Sequence, residues 1–212
     1  MGTTGLLVMD FQVAICGPGG SIGAASGLSQ QTQERGVLPR LAQCLRVARD
    51  AGVPVFHARV AFDEAYTRRT NRSARFAGME QRRLLLEGSD DAAFVPEAEP
   101  AAGEVVVNKG CVNPFIATGL AERLLVAGVT DLFLAGVATN FVVESAARHA
   151  GDSGYQVSIL EDLCASYDES MHDFAVRKTL PMFGRVVSSA DFENMVRASE
   201  LSGAAAGRST NG

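Results

Sequence analysis

Short runs of aliphatic and β-branched residues alternate along this chain with longer helical patterns: "GLLVM", 33–51, "VPVFHA", 113–127, "DLFLAG", 140–152, "YQVSIL", 168–180, "RVVSS" and 191–200. The apolar runs lack strict polar alternation. A strand with one wet face would alternate, whereas a strand covered by helices on both faces need not. The pattern therefore predicts an α/β fold, a doubly wound and mostly parallel sheet of about six strands in a three-layer, Rossmann-like arrangement. Within 33–51, Val37, Leu41, Leu45 and Ala48 make one apolar stripe that stops at Gly52. Cys44 falls beside that stripe and reads as core.

A chain of 212 residues, 47% hydrophobic and 20% charged, suits one domain, taken as 1–200. The small and polar "LSGAAAGRSTNG" from Leu201 onward reads as a disordered tail. A net charge of -5 and a pI near 5.2 oppose binding to nucleic acid or to an anionic membrane, and favour a small-molecule partner. "MGTTGLLVMDFQ" lacks a basic leader region and is interrupted by Asp10, so it reads as neither signal peptide nor membrane span, and a cytoplasmic location is expected. Cys16, Cys44, Cys111 and Cys164 are scattered without metal-type pairing and read as free thiols.

Ligands of open parallel sheets bind beyond the carboxyl ends of the strands. Asp10 stands there, after "LLVM", with apolar neighbours that would desolvate it and raise its pKa, as acid–base chemistry requires. The plainer reading is a capping aspartate. A phosphatase using an aspartate nucleophile would need a second acid two residues on, where Gln12 stands. The glycines of "GPGG" come too late after the strand for a dinucleotide fingerprint. Lys109 ends "EVVVN", and it and Lys178 are the only lysines among 19 basic residues. An ammonium near Asp10 would hold that carboxylate's charge state or steady negative charge on a substrate; otherwise Lys109 is a surface residue after a strand. Cys111 could serve as a nucleophile only if Lys109 activated it, since no histidine lies near it in sequence.

His57, His149 and His172 are too far apart in sequence for a histidine metal site, and no metal or cofactor is expected. The segments 17–28 and 59–75 fit no regular element and read as functional loops. The second carries Arg59, Arg68, Arg69, Arg72 and Arg75 among Phe62, Tyr66 and Phe76. Most of these arginines should be solvated. One or two turned inward beside aromatics would make a carboxylate clamp.

Three stretches, "LLVMDFQ", "VVVNKGCVNPFIATGL" and "LFLAGVATNFVVESAARHAGDSGYQVSILEDLCAS", in this order and over residues 5 to 190, resemble the isochorismatase-like, or cysteine hydrolase, superfamily. The resemblance implies an Asp–Lys–Cys triad whose thiolate attacks an amide or related carbon. Asp10 and Lys109 match the first two members. Val142 occupies the position of the cysteine, three residues after the "GVAT" turn, and has no nucleophilic atom. Some members that this chain resembles, isochorismatases among them, lack the cysteine and use the aspartate as an acid on a vinyl ether. That is the expected activity: hydrolysis of a small, carboxylated molecule through Asp10 with Lys109 as electrostatic partner. Hydrolysis of a C–N bond by activated water or by Cys111, and a binding protein without catalysis, are the alternatives.

Gln12, Arg59, Tyr66, Asn140 and Phe141 are expected to line the pocket. The resemblance further implies a cis peptide between Val137 and Ala138, amides of Phe141 and Val142 aimed into the pocket as anion-stabilising donors, and a homodimer or homotetramer.

Overall fold

The computed structural model describes residues 2–208. Six parallel strands form one sheet in the order β3-β2-β1-β4-β5-β6. They are β1 (Thr3–Met9), β2 (Val55–Val60), β3 (Val105–Lys109), β4 (Val129–Val137), β5 (Gln156–Ala165) and β6 (Arg185–Val187). The first three strands build outward from β1 in one direction and the last three from β4 in the other. The strand order therefore reverses between β1 and β4, and a crevice opens at their carboxyl ends.

Successive side chains of β1 enter opposite faces of the sheet. Leu6 and Val8 pack into one buried cluster with Leu41, Leu45 and Phe192. Leu7 and Met9 join Leu120, Leu124 and Ala146 in the other. Both faces are thus covered, which is why the strands carry no polar alternation. The first cluster is supplied by α4 (Val37–Asp50) and α9 (Ser189–Arg208), the second by α6 (Leu120–Val126) and α7 (Glu144–Asp152). Cys44 is fully buried on the α4 stripe.

Several boundaries differ from the sequence reading. Helix α4 starts at Val37 because Gly36 takes φ +59°, a left-handed conformation that closes off the preceding α3 (Leu28–Glu34). The 17–28 segment contains the short α2 (Gly23–Ser26), which follows α1 (Val13–Cys16). Only 120–126 of the 113–127 pattern is helical, since Gly119 at φ +69° sets its start. The 59–75 segment continues β2 to Val60 and ends in α5 (Ala74–Gln81). Helix α9 runs through residues 201–208, where a disordered tail was expected; Ala204, Ala205 and Ala206 are strong helix formers, against the glycines that flank them. Residues 209–212 of that tail lie outside the described residues. Among the described residues, no helix is long and apolar enough to cross a membrane.

Candidate active site

At the end of β1 the chain turns sharply. Asp10 takes φ +62°, a left-handed conformation that aspartate tolerates better than most residues, and its amide donates to Ala58 O at 2.9 Å. Its side chain borders the crevice at the strand reversal. Lys109 reaches the same point from the end of β3, two strands away, and its Nζ lies 2.8 Å from Asp10 Oδ2. Gly110 next to it is packed so tightly that a Cβ there would stand 1.8 Å from Arg68 O, so only glycine lets the arginine-rich loop close over this edge.

The Lys109 ammonium also donates to Cys111 O at 3.1 Å and Val112 O at 3.0 Å. An ammonium has three donors, and all three are engaged. Lys109 thus fixes Asp10 and lends it positive charge without an N–H left for substrate. Asp10 Oδ1, in contrast, is buried with no hydrogen-bond partner among the described residues. Burial raises the Asp10 carboxyl above its ordinary range, and the Lys109 charge and hydrogen bond offset this only in part.

The third wall is the turn after β4. The Val137–Ala138 peptide is cis, and Thr139–Val143 forms a single π-helical turn leading into α7. Val142, 1% exposed, borders the cleft with Asp10 and Lys109. The Phe141 amide donates to Ala138 O at 3.1 Å, so it is already engaged within the turn and is not an open anion donor. Phe141 itself lines the cleft, and its ring meets that of Tyr167 edge-on at 5.5 Å. The Arg75 guanidinium lies 5.2 Å from the Phe141 ring centre and 5.1 Å from that of Tyr167, forming the mouth of the cleft.

The enclosed space is about 50 Å³, lined mainly by apolar side chains such as Ile15, Leu28, Val60 and Phe76. That exceeds the roughly 10–15 Å³ needed by a water molecule, yet falls well below the usual volume of a ligand pocket, so Arg75 and the loops beside it must shift to admit a substrate. A far larger cavity of about 750 Å³ opens at the amino ends of β2 and β3. Size does not make it the reaction site, because its Arg49 and Glu104 are paired with each other at 2.8 Å.

Four of the five residues expected to line the pocket are engaged elsewhere, and only Phe141 lines the cleft. Gln12 is fully buried; its amide donates to Val60 O (2.9 Å) and Ala92 O (3.1 Å) and accepts from Val60 N, stitching the ends of β1 and β2 together. Arg59 follows strand parity: its neighbour Val60 faces the cleft, so Arg59 faces away, bonding Asn108 Oδ1 at 2.8 Å and lying over Phe94. Tyr66 stacks on Phe62 and donates to Leu84 O at 2.7 Å. Asn140 accepts from Ser166 Oγ at 2.5 Å and borders a neighbouring depression with Glu144 and Arg148.

Cys111 is buried, its thiol 3.4 Å from Asn113 O, and it does not line the cleft. Lys109 meets the carbonyl of Cys111 and not its sulfur. The sequence reading missed Tyr167, although it follows β5 and the strand-end rule that marks Asp10 and Lys109 would also have found it. Arg75 had stood undistinguished among five loop arginines.

Comparison with known proteins gives a consistent picture. Residues 4–191 match the Isochorismatase domain model. The chain is 32% identical over 205 residues to ureidoacrylate amidohydrolase RutB of Methylobacterium radiotolerans, covering 91% of this chain and 79% of that protein. It is 27% identical over 192 residues to maleamate amidohydrolase of Pseudomonas putida, covering 91% of this chain and 86% of that one. An isochorismatase family protein from Desulfovibrio vulgaris superposes with a TM-score of 0.81 at 21% identity, over 93% of this chain and all of the other, and shares its fold. With the domain match running from β1 to the start of α9 and taking in every wall of the Asp10 cleft, this chain belongs to the isochorismatase family and is a hydrolase of that fold.

Proposed function

We propose that this protein hydrolyses a small, carboxylated vinyl ether by acid–base chemistry that uses no thiol. The carrying observation is the buried Asp10–Lys109 pair at 2.8 Å in a cleft where Val142 stands and none of the lining residues is a cysteine. A carboxyl raised by burial keeps its proton nearer to neutral pH and can act as an acid. Its unpartnered Oδ1 is the atom available to a reactant.

In this reading Asp10 delivers its proton to the terminal alkene carbon, and the ether oxygen shares the resulting positive charge. The Asp10 carboxylate, held by Lys109, steadies that cation. Water adds to the cationic carbon and loses a proton back to Asp10. The hemiketal then collapses to a ketone and an alcohol. Arg75, braced on Phe141 and Tyr167, takes the substrate carboxylate.

A second reading, hydrolysis of a C–N bond by water activated at Asp10, is favoured by the amidohydrolase names of the relatives. Assaying isochorismate beside a panel of small amides and ureides, with the wild type and Asp10→Asn, separates the two. Turnover of the vinyl ether that is lost in the variant supports the proposal. Turnover of an amide alone moves the assignment to C–N hydrolysis.

A further inference from the structure

The turn Thr139–Val143 is tied down from behind by a chain of polar side chains that plays no part in the chemistry above. His172 lies on α8 (Glu169–Phe174), a short helix started by Asp168, whose Oδ1 accepts from Met171 N at 2.8 Å. Its ring is 2% exposed, with Nδ1 2.8 Å from Thr139 Oγ1. On the other side, Nε2 lies 3.6 Å from Glu161 Oε2, long for a hydrogen bond but within ion-pair reach. The same Glu161 oxygen accepts from Arg35 at 3.1 Å, and Arg35 Nε donates to Cys164 O at 3.1 Å. Glu161 sits where the β4–β5 register jumps from Leu134↔Ile159 to Gly136↔Cys164, an irregularity at the cleft end of the sheet.

A carboxylate facing Nε2 selects the ring tautomer with its proton there, and Nδ1 then accepts from the Thr139 hydroxyl. Thr139 is fully buried and is not among the residues lining the cleft, so this hydroxyl has no path to substrate as a nucleophile. Its chain neighbours Ala138, Phe141 and Val142 do line the cleft.

We propose that His172 is a positioning residue, holding the cleft-lining turn Thr139–Val143 in register through Thr139 while Glu161 and Arg35 fix the ring. This rests on the reading above only in that the turn borders the working cleft. Ala138, Phe141 and Val142 wall the cleft with Asp10, and a substrate held about 1 Å out of line with that carboxyl can react on the order of 10²-fold more slowly, so a tether of this kind acts on turnover more than on binding.

The test uses two pairs of variants in the full-length protein. His172→Asn puts an amide near the Nδ1 position and keeps the link to Thr139, whereas His172→Gln reaches toward Glu161 and loses it. Thr139→Ser keeps the hydroxyl and Thr139→Val removes it with little change of shape. Amide hydrogen exchange over 139–143, read without substrate, is expected to quicken in His172→Gln and Thr139→Val and to stay near wild type in the other two. With isochorismate, the same two variants are expected to lose kcat on the order of 10²-fold with KM little changed. Unaltered exchange in all four variants, equal loss in His172→Asn and His172→Gln, or faster exchange spread evenly over the chain would each overturn the proposal. If the wild type does not turn over isochorismate, the functional reading fails while the exchange measurement still decides the role of His172.

Discussion

Lys109 Nζ lies 2.8 Å from Asp10 Oδ2, and the two residues stand 99 positions apart in the chain. The ammonium's other contacts, Cys111 O and Val112 O, leave it no further donor, so its effect on a reaction passes through Asp10. The opposite carboxylate oxygen has no partner among the described residues. One oxygen of Asp10 is therefore anchored and the other is available, a division that suits a group required to give up and recover a proton.

Asp10→Asn should lower kcat roughly 10²–10⁴-fold, the contribution of a positioned acid or base. Asparagine also tolerates the left-handed backbone at this position, so circular dichroism and the thermal midpoint should show a folded protein. Wild-type kcat/KM should fall as pH rises through the Asp10 pKa, which lies above 3.8, and the variant should lack that limb. Equal turnover in a folded variant would remove Asp10 from the mechanism.

Lys109→Met takes away the charge that partly offsets burial of Asp10. The pH limb should move to higher pH, because the carboxyl then ionises less readily. KM should change little, since Lys109 has no donor for substrate. A large rise in KM with an unmoved pH profile would show direct contact between Lys109 and the substrate.

Alkylation by iodoacetamide should leave wild-type turnover intact. Burial pushes the Cys44 and Cys164 thiols up to about 12, and the Cys16 thiol is likewise raised by burial. Val142→Cys should place a thiol in the cleft and make turnover sensitive to the reagent. Loss of wild-type activity on modification at Cys111, mapped by peptide mass, would restore the Cys111 mechanism.

Arg75→Met should raise KM for a carboxylated substrate about 10- to 100-fold, from the roughly 1.5–3 kcal/mol of a hydrogen bond to a charged group. The effect on kcat should be small, because Arg75 lies at the mouth, across Phe141 and Tyr167. Steady-state kinetics on isochorismate reads both parameters, and an unchanged KM would take Arg75 out of substrate binding.

Acid should weaken the fold through His57. Burial lowers its imidazole below the ordinary 6.5, with the Glu104 contact at 2.9 Å opposing in part. The unfolded chain therefore binds a proton at a pH where the folded one does not, and stability declines as pH falls through 6.5. Glu104 adds a decline with the same sign lower down: burial raises it, but bonds from Arg49, the Ala101 amide and His57 hold it below its usual range. Urea midpoints between pH 7 and 5 should drop in the wild type and stay flatter in His57→Gln. Parallel curves would show that His57 does not carry this dependence.

The amino-acid sequence by itself determined the strands and the two-faced core, because local runs such as "LLVM" and "LFLAG" carry enough apolar area to dictate burial wherever they lie. It also marked Asp10 and Lys109, since the end of a parallel strand is recognisable from the run that precedes it. Only the tertiary structure decided which groups meet. Strand parity turned Arg59 away while its neighbour Val60 faced the cleft, and a backbone demand at the ends of β1 and β2 engaged the amide of Gln12. The path of the 61–73 loop over Gly110 brought Arg75 to the mouth, against the rings of Phe141 and Tyr167. These choices hang on contacts between residues far apart in the chain, and local patterns of hydrophobicity and charge carry no record of them.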